Sequence, residues 1–156
     1  MKTMEEYNAF LASVRSATGL DMLVPDDMGL VTVRVDDKFD LSLQFAAPAG
    51  MVFCFVEVAS LPKDAPKEIY RELLSGGLFG QETAGGYFTL EPESETVIYN
   101  YFFKGEEAEK DPDGFVSTLE KILQLCDLWA GRIADCLSDR EDDHQAVDHA
   151  HLHFFA

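Results

Sequence analysis

The chain has 156 residues, of which 47% are hydrophobic and 26% charged, enough for one domain with its own core and no need of disulfides or a structural metal. Its formal net charge of −17 argues against nucleic acid and anionic membrane surfaces as partners, because both are bound through basic groups. No apolar run approaches the roughly 20 residues that cross a bilayer. The opening Met1-Lys2-Thr3-Met4-Glu5-Glu6-Tyr7 carries acids where a secretory signal needs an apolar stretch, so a cytoplasmic location is expected.

The first predicted element is an amphipathic helix from Thr3 to Thr18. Met4, Tyr7, Phe10, Leu11 and Val14 recur at three- and four-residue steps and share one face. Thr3 and Glu6 have the spacing of a capping box, and Gly19 is placed to end the helix in a left-handed conformation. Leu30 to Val35 and Phe39 to Phe45 then alternate apolar with polar, the period of a strand with one wet face. Asp36-Asp37-Lys38 between them predicts a hairpin. Met51 to Val58 is apolar at both parities, as befits a central strand, and Ala47 to Gly50 supplies the turn before it.

Pro66 opens a short helix to Ser75 with Ile69, Tyr70, Leu73 and Leu74 on one face, stopped by Gly76-Gly77. A helix of that length is marginal unless it packs. Gly80 to Gly86 reads as a glycine-rich loop. Tyr87 to Leu90 and Thr96 to Phe103 read as strands joined by a turn over Glu91 to Glu95. Gly105 to Lys110 reads as a charged loop. Asp111 caps a last helix that has Pro112 at its first position, and Phe115, Leu119, Ile122, Cys126, Trp129, Ile133 and Leu137 form its apolar stripe. The predicted architecture is a single α+β domain over 1–138, order α-β-β-β-α-β-β-α, with a twisted antiparallel sheet packed by helices. Residues 139–156 read as an acidic, histidine-containing flexible tail.

Catalytic chemistry finds little to use. All four histidines, His144, His149, His151 and His153, fall in the last thirteen residues, so the domain has no histidine to serve as a general base or a triad member. The glycines around Gln81-Glu82-Thr83 follow a helix and precede a strand, the reverse of a phosphate loop, and lack its lysine. The reading there is a helix stop and a tight turn needing positive φ. Cys54, Cys126 and Cys136 form no C-x-x-C pair and read as reduced, buried small hydrophobes. Acidic residues cluster in turns, without the apolar walls that raise a carboxyl pKa. His149-x-His151-x-His153 with Asp148 has an alternating metal-ligand spacing, yet no scaffold around it, so no metal or cofactor is assigned. What is left in quantity is apolar surface, including 12 phenylalanines. One sheet with three helices can leave part of a face uncovered, and such a patch marks a binding surface.

The stretch Leu73-Leu74-Ser75-Gly76-Gly77-Leu78-Phe79-Gly80-Gln81-Glu82-Thr83, followed by Gly85-Gly86 and a strand, resembles the signature of class I type III secretion chaperones, the Tir-chaperone family. The resemblance implies a non-enzymatic homodimer that holds the N-terminal segment of a secreted effector in extended form. It also implies that the complex is offered to the secretion apparatus, its ATPase or sorting platform, without use of a cofactor. On that reading Ile69, Tyr70, Leu73, Leu74, Leu78 and Phe79 form the dimer interface. Phe10, Val14, Leu30, Thr32, Phe45 and Phe53, drawn from the first helix and the sheet, are the candidate effector contacts. The competing readings are another acidic protein-binding module, an inhibitor or nucleic-acid mimic, and a small enzyme or ligand carrier with an enclosed pocket.

Overall fold

A computed structural model describes the backbone of residues 1–152 and the side chains of residues 1–139. Helix α1 spans Met4–Thr18. Its capping box is formed, with the Glu6 N–H donating to Thr3 Oγ1 at 3.2 Å and the Thr3 N–H to the Glu6 carboxylate at 3.3 Å. Gly19 ends it at φ 71°, a conformation that would strain any side chain. Three strands follow, β1 (Leu30–Val35), β2 (Phe39–Ala46) and β3 (Met51–Ser60). Helix α2 covers Lys67–Gly76 and leads through a 3₁₀ turn at Leu78–Gly80 to β4 (Tyr87–Glu91) and β5 (Thr96–Lys104).

Residues 105–110 correct the sequence reading. They form a short helix, α3 (Gly105–Lys110), and not a loop. Six residues are too few to show a helical period, and the turn is held by burial of Gly105 and Ala108, with the Gly105 N–H donating to the Gly50 carbonyl at 2.8 Å. The last helix, α4, is Pro112–Leu152. Asp111 caps it, its carboxylate accepting the Gly114 N–H at 2.9 Å. Helix α4 runs on past Leu137, where the apolar stripe of the sequence stops.

The five strands form one antiparallel sheet in the order β1-β2-β3-β5-β4. β3, apolar at both parities, is indeed the middle strand. Register places Val31, Leu43, Cys54 and Tyr101 in one row across the sheet. That face is covered by α1 and α4 and holds the core. Tyr7 stacks on Phe45 with ring centroids 5.1 Å apart, Phe10 meets Phe115 edge-on at 5.1 Å, and Phe88 meets Trp129 at 4.9 Å. The opposite face of the sheet, with Phe53, Phe55, Phe102 and Tyr87, carries no helix.

Candidate functional site

Among the described residues no group of three or more histidines, cysteines or acids stands together as metal ligands, and the histidine-rich end lies outside the described side chains. Cys54 and Cys126 are buried, and burial pushes each thiol up to about 12, which keeps them protonated and unreactive. Glu6 and Glu91 are displaced downward, chiefly by hydrogen bonds from the Lys2 N–H and from Ser94. A catalytic acid needs a shift the other way.

The structure offers apolar surface in three places. The first is at the end of α2. Leu74, Leu78 and Phe79 are 80%, 63% and 88% exposed, a run of large side chains that folding has not buried. Phe79 sits at φ 55°, a conformation bulky residues rarely adopt. Gly80 and Gly85 beside it also have positive φ, 67° and 85°, as the tight-turn reading of these glycines required. Of the six residues assigned to a dimer interface, Leu74, Leu78 and Phe79 form this knob. Tyr70 and Leu73 are half-buried at its base. Ile69 is buried and belongs to the core.

The second surface is a cleft of about 290 Å³ beside β1. Its walls are Leu20, Met22 and Leu23 from the loop after α1, Val33 and Val35 on β1, and Leu119 and Leu123 on α4. Arg34, Asp36 and Glu120 stand at the rim. Among the described residues β1 pairs with β2 alone. On its other side the Asp26 carboxylate accepts the Leu30 N–H and the Asp26 N–H donates to the Leu30 carbonyl, each at 2.9 Å, which leaves the edge open from Thr32 onward, beside this cleft. The third surface is the uncovered face of the sheet. Phe53 packs edge-on against Phe102 at 4.9 Å and against Phe55 at 6.2 Å, and Tyr87 lies 5.7 Å from Phe102.

The six candidate effector contacts are divided by the sheet. Phe10, Val14 and Phe45 are buried between α1, α4 and the inner face. They pack in the core of the single chain. Leu30, Thr32 and Phe53 lie on the other face, partly or fully exposed. Parity explains the split. The turn at 47–50 sets Ala46 opposite Met51, Phe45 opposite Val52 and Gln44 opposite Phe53. Phe45 and Phe53 therefore point to opposite sides, a signal available from the turn length. The cleft beside β1 was not foreseen, because its walls come from three segments distant in sequence.

The described residues form an α+β domain with apolar surface left open at a sheet edge, on a sheet face and at the end of α2. Residues 9–130 match the family model of the Tir chaperone protein (CesT) family, and the chain belongs to that family of chaperones. Among curated proteins no relative matches. Among solved structures, the crystal structure of the ExsC-ExsE complex is similar at 18% identity and TM-score 0.71, covering 83% of this chain and 95% of that one. The HopA1-SchA chaperone-effector complex is similar at 21% identity and TM-score 0.61, covering 83% and 93%. The Yersinia pestis type III secretion chaperone SycH, in complex with a stable fragment of YscM2, is similar at 15% identity and TM-score 0.55, covering 76% and 98%. These likenesses establish the fold, and the family match carries the class.

Proposed function

We propose that this chain is a cytoplasmic type III secretion chaperone that binds the N-terminal segment of a secreted effector in extended form and keeps it soluble until export. It acts as a homodimer joined through the α2 knob, and hands its client to the secretion apparatus. The observation that carries this reading is the edge of β1, open from Thr32 onward, beside an apolar cleft. An extended segment can add there as a further strand. Its backbone pairs with β1, one set of side chains enters the cleft, and the other set lies beside Leu30 and Thr32. Backbone pairing tolerates varied client sequence, while the cleft selects for apolar residues at alternate positions. The aromatic face around Phe53 and Phe102 gives the client a second place to lie. Family membership and the partner-bound state of the similar structures, named as chaperone with effector or fragment, support the reading.

The test is coexpression with the product of each neighbouring gene, followed by calorimetry on the purified N-terminal segment of the protein that copurifies. Binding should carry a large negative heat-capacity change as apolar surface is buried. Met22→Asp and Val35→Asp, at the mouth of the cleft, should each weaken binding about tenfold or more, as central contacts do, with little change in melting temperature. Normal affinity in both variants would remove the β1 edge from the proposal.

A further inference from the structure

The apolar knob at the end of α2 is held from beneath. Trp129 of α4 donates its indole N–H to the Glu82 carbonyl at 3.1 Å, and the Tyr99 hydroxyl of β5 donates to the Thr83 carbonyl at 2.7 Å. A side chain at Gly76 would overlap the Trp129 ring, so α2 can approach α4 this closely only through glycine. Arg132, one turn beyond Trp129, lies with its guanidinium 4.1 Å over that indole. One guanidinium nitrogen donates to the Glu82 carboxylate at 2.8 Å, and the other reaches the Glu72 carboxylate at 3.3 Å. Arg132 therefore stands on α4 and joins α2 to the turn that carries Leu78 and Phe79.

We propose that Arg132 is a positioning residue for self-association, setting the angle between α2 and the 78–86 turn and so the shape of the surface made by Leu74, Leu78 and Phe79. The proposal rests on the homodimer reading above. Glu72 and Glu82 line the same open cleft, with Glu68 and Arg71 beside them. Without the Arg132 guanidinium, Arg71 is the one basic side chain left among the lining residues against three carboxylates, and their net repulsion drives α2 and the turn apart. The three side chains of the bridge are each about half exposed, so the pairs contribute little to folding. An interface is less forgiving, because two copies must match in shape over the same patch. Lysine cannot replace this arginine: a single point charge neither spans two carboxylates nor stacks flat on an indole.

The experiment is sedimentation equilibrium and thermal melting on the full chain. Arg132→Gln should weaken the dimer about tenfold or more, the scale of a lost interface determinant, while the fold melts nearly as before. Arg132→Lys should recover only part of the loss. Adding Glu72→Gln and Glu82→Gln to Arg132→Gln should restore much of the dimer, because the repulsion is gone; a merely structural arginine would not give that rescue. Unchanged dimerisation in Arg132→Gln, or a collapse of the fold in that variant, overturns the proposal and leaves the homodimer standing. A wild-type chain that sediments as a monomer overturns both.

Discussion

Cys54 on β3 and Cys126 on α4 lie in the layer between sheet and helix, fully enclosed. Desolvation of the thiolate pushes both thiols up to about 12, and the nearby Cys126 adds to the shift at Cys54. A thiol raised in the folded state stabilises the protein fully below its unfolded value of 9.0. Above that pH the unfolded chain releases the proton and the folded chain keeps it, so stability falls as pH rises toward 12. The slope is about 1.4 kcal/mol per pH unit for each thiol once the unfolded form is ionised. Denaturation measured between pH 8 and 10 should show a decline that steepens toward the upper end, where Tyr7 and Tyr99, with an unfolded value of 10.0, add their own share. Cys126→Ala should decline less steeply, and equal slopes would mean that the thiol is open to solvent.

Among the elements, α2 is the one whose sequence and surroundings disagree most. Ten residues do not make a stable helix alone, and packing against α4 buries only Ile69 and Gly76. The exposed Leu74, with Leu78 and Phe79 after it, gives the helix an apolar side with nothing over it in one copy of the chain. A twofold axis next to α2 would cover each knob with its counterpart. Leu74→Asp puts a charge in the middle of that patch at a position already 80% exposed. The variant should sediment as a monomer, with the far-ultraviolet circular dichroism of the wild type. A dimer mass that survives would move the interface elsewhere. Helix α3 is the opposite case: its six residues carry no visible period, and burial of Gly105 and Ala108 decides it.

Across the whole molecule, a net charge of −17 sits on a fold with its apolar groups on the inner face, in the α2 knob, in the cleft and on the outer aromatic face. Acidity of this size keeps a protein with that much open apolar surface in solution. The packed core ends on α4 near Ile133, with Leu137 packed partly against it. Beyond lies the charged run Asp139-Arg140-Glu141-Asp142-Asp143, which has no apolar period to bury. Truncation after Ser138 should therefore leave the melting temperature nearly unchanged. A large drop would mean that Leu152, Phe154 and Phe155 contribute to the body of the protein.

The sequence by itself determined the elements other than α3, and their faces. Alternation in β2 marked Phe39, Leu41, Leu43 and Phe45 as one side, Thr3 and Glu6 marked the start of α1, and apolar residues at both parities marked β3 as central. Each is a local property, written in neighbours a few residues apart. The glycine-punctuated run from Leu73 to Thr83 was also legible, and it pointed to the family. Only the tertiary structure decided which side of the sheet the helices cover, and so which phenylalanines are core and which are open. Phe10 and Phe53 look alike in sequence, and their difference lies in pairing between strands and packing of α1 and α4. The Arg132 bridge and the cleft beside β1 were illegible for the same reason. They join residues 50 and more positions apart, and no local period records which distant segments will meet.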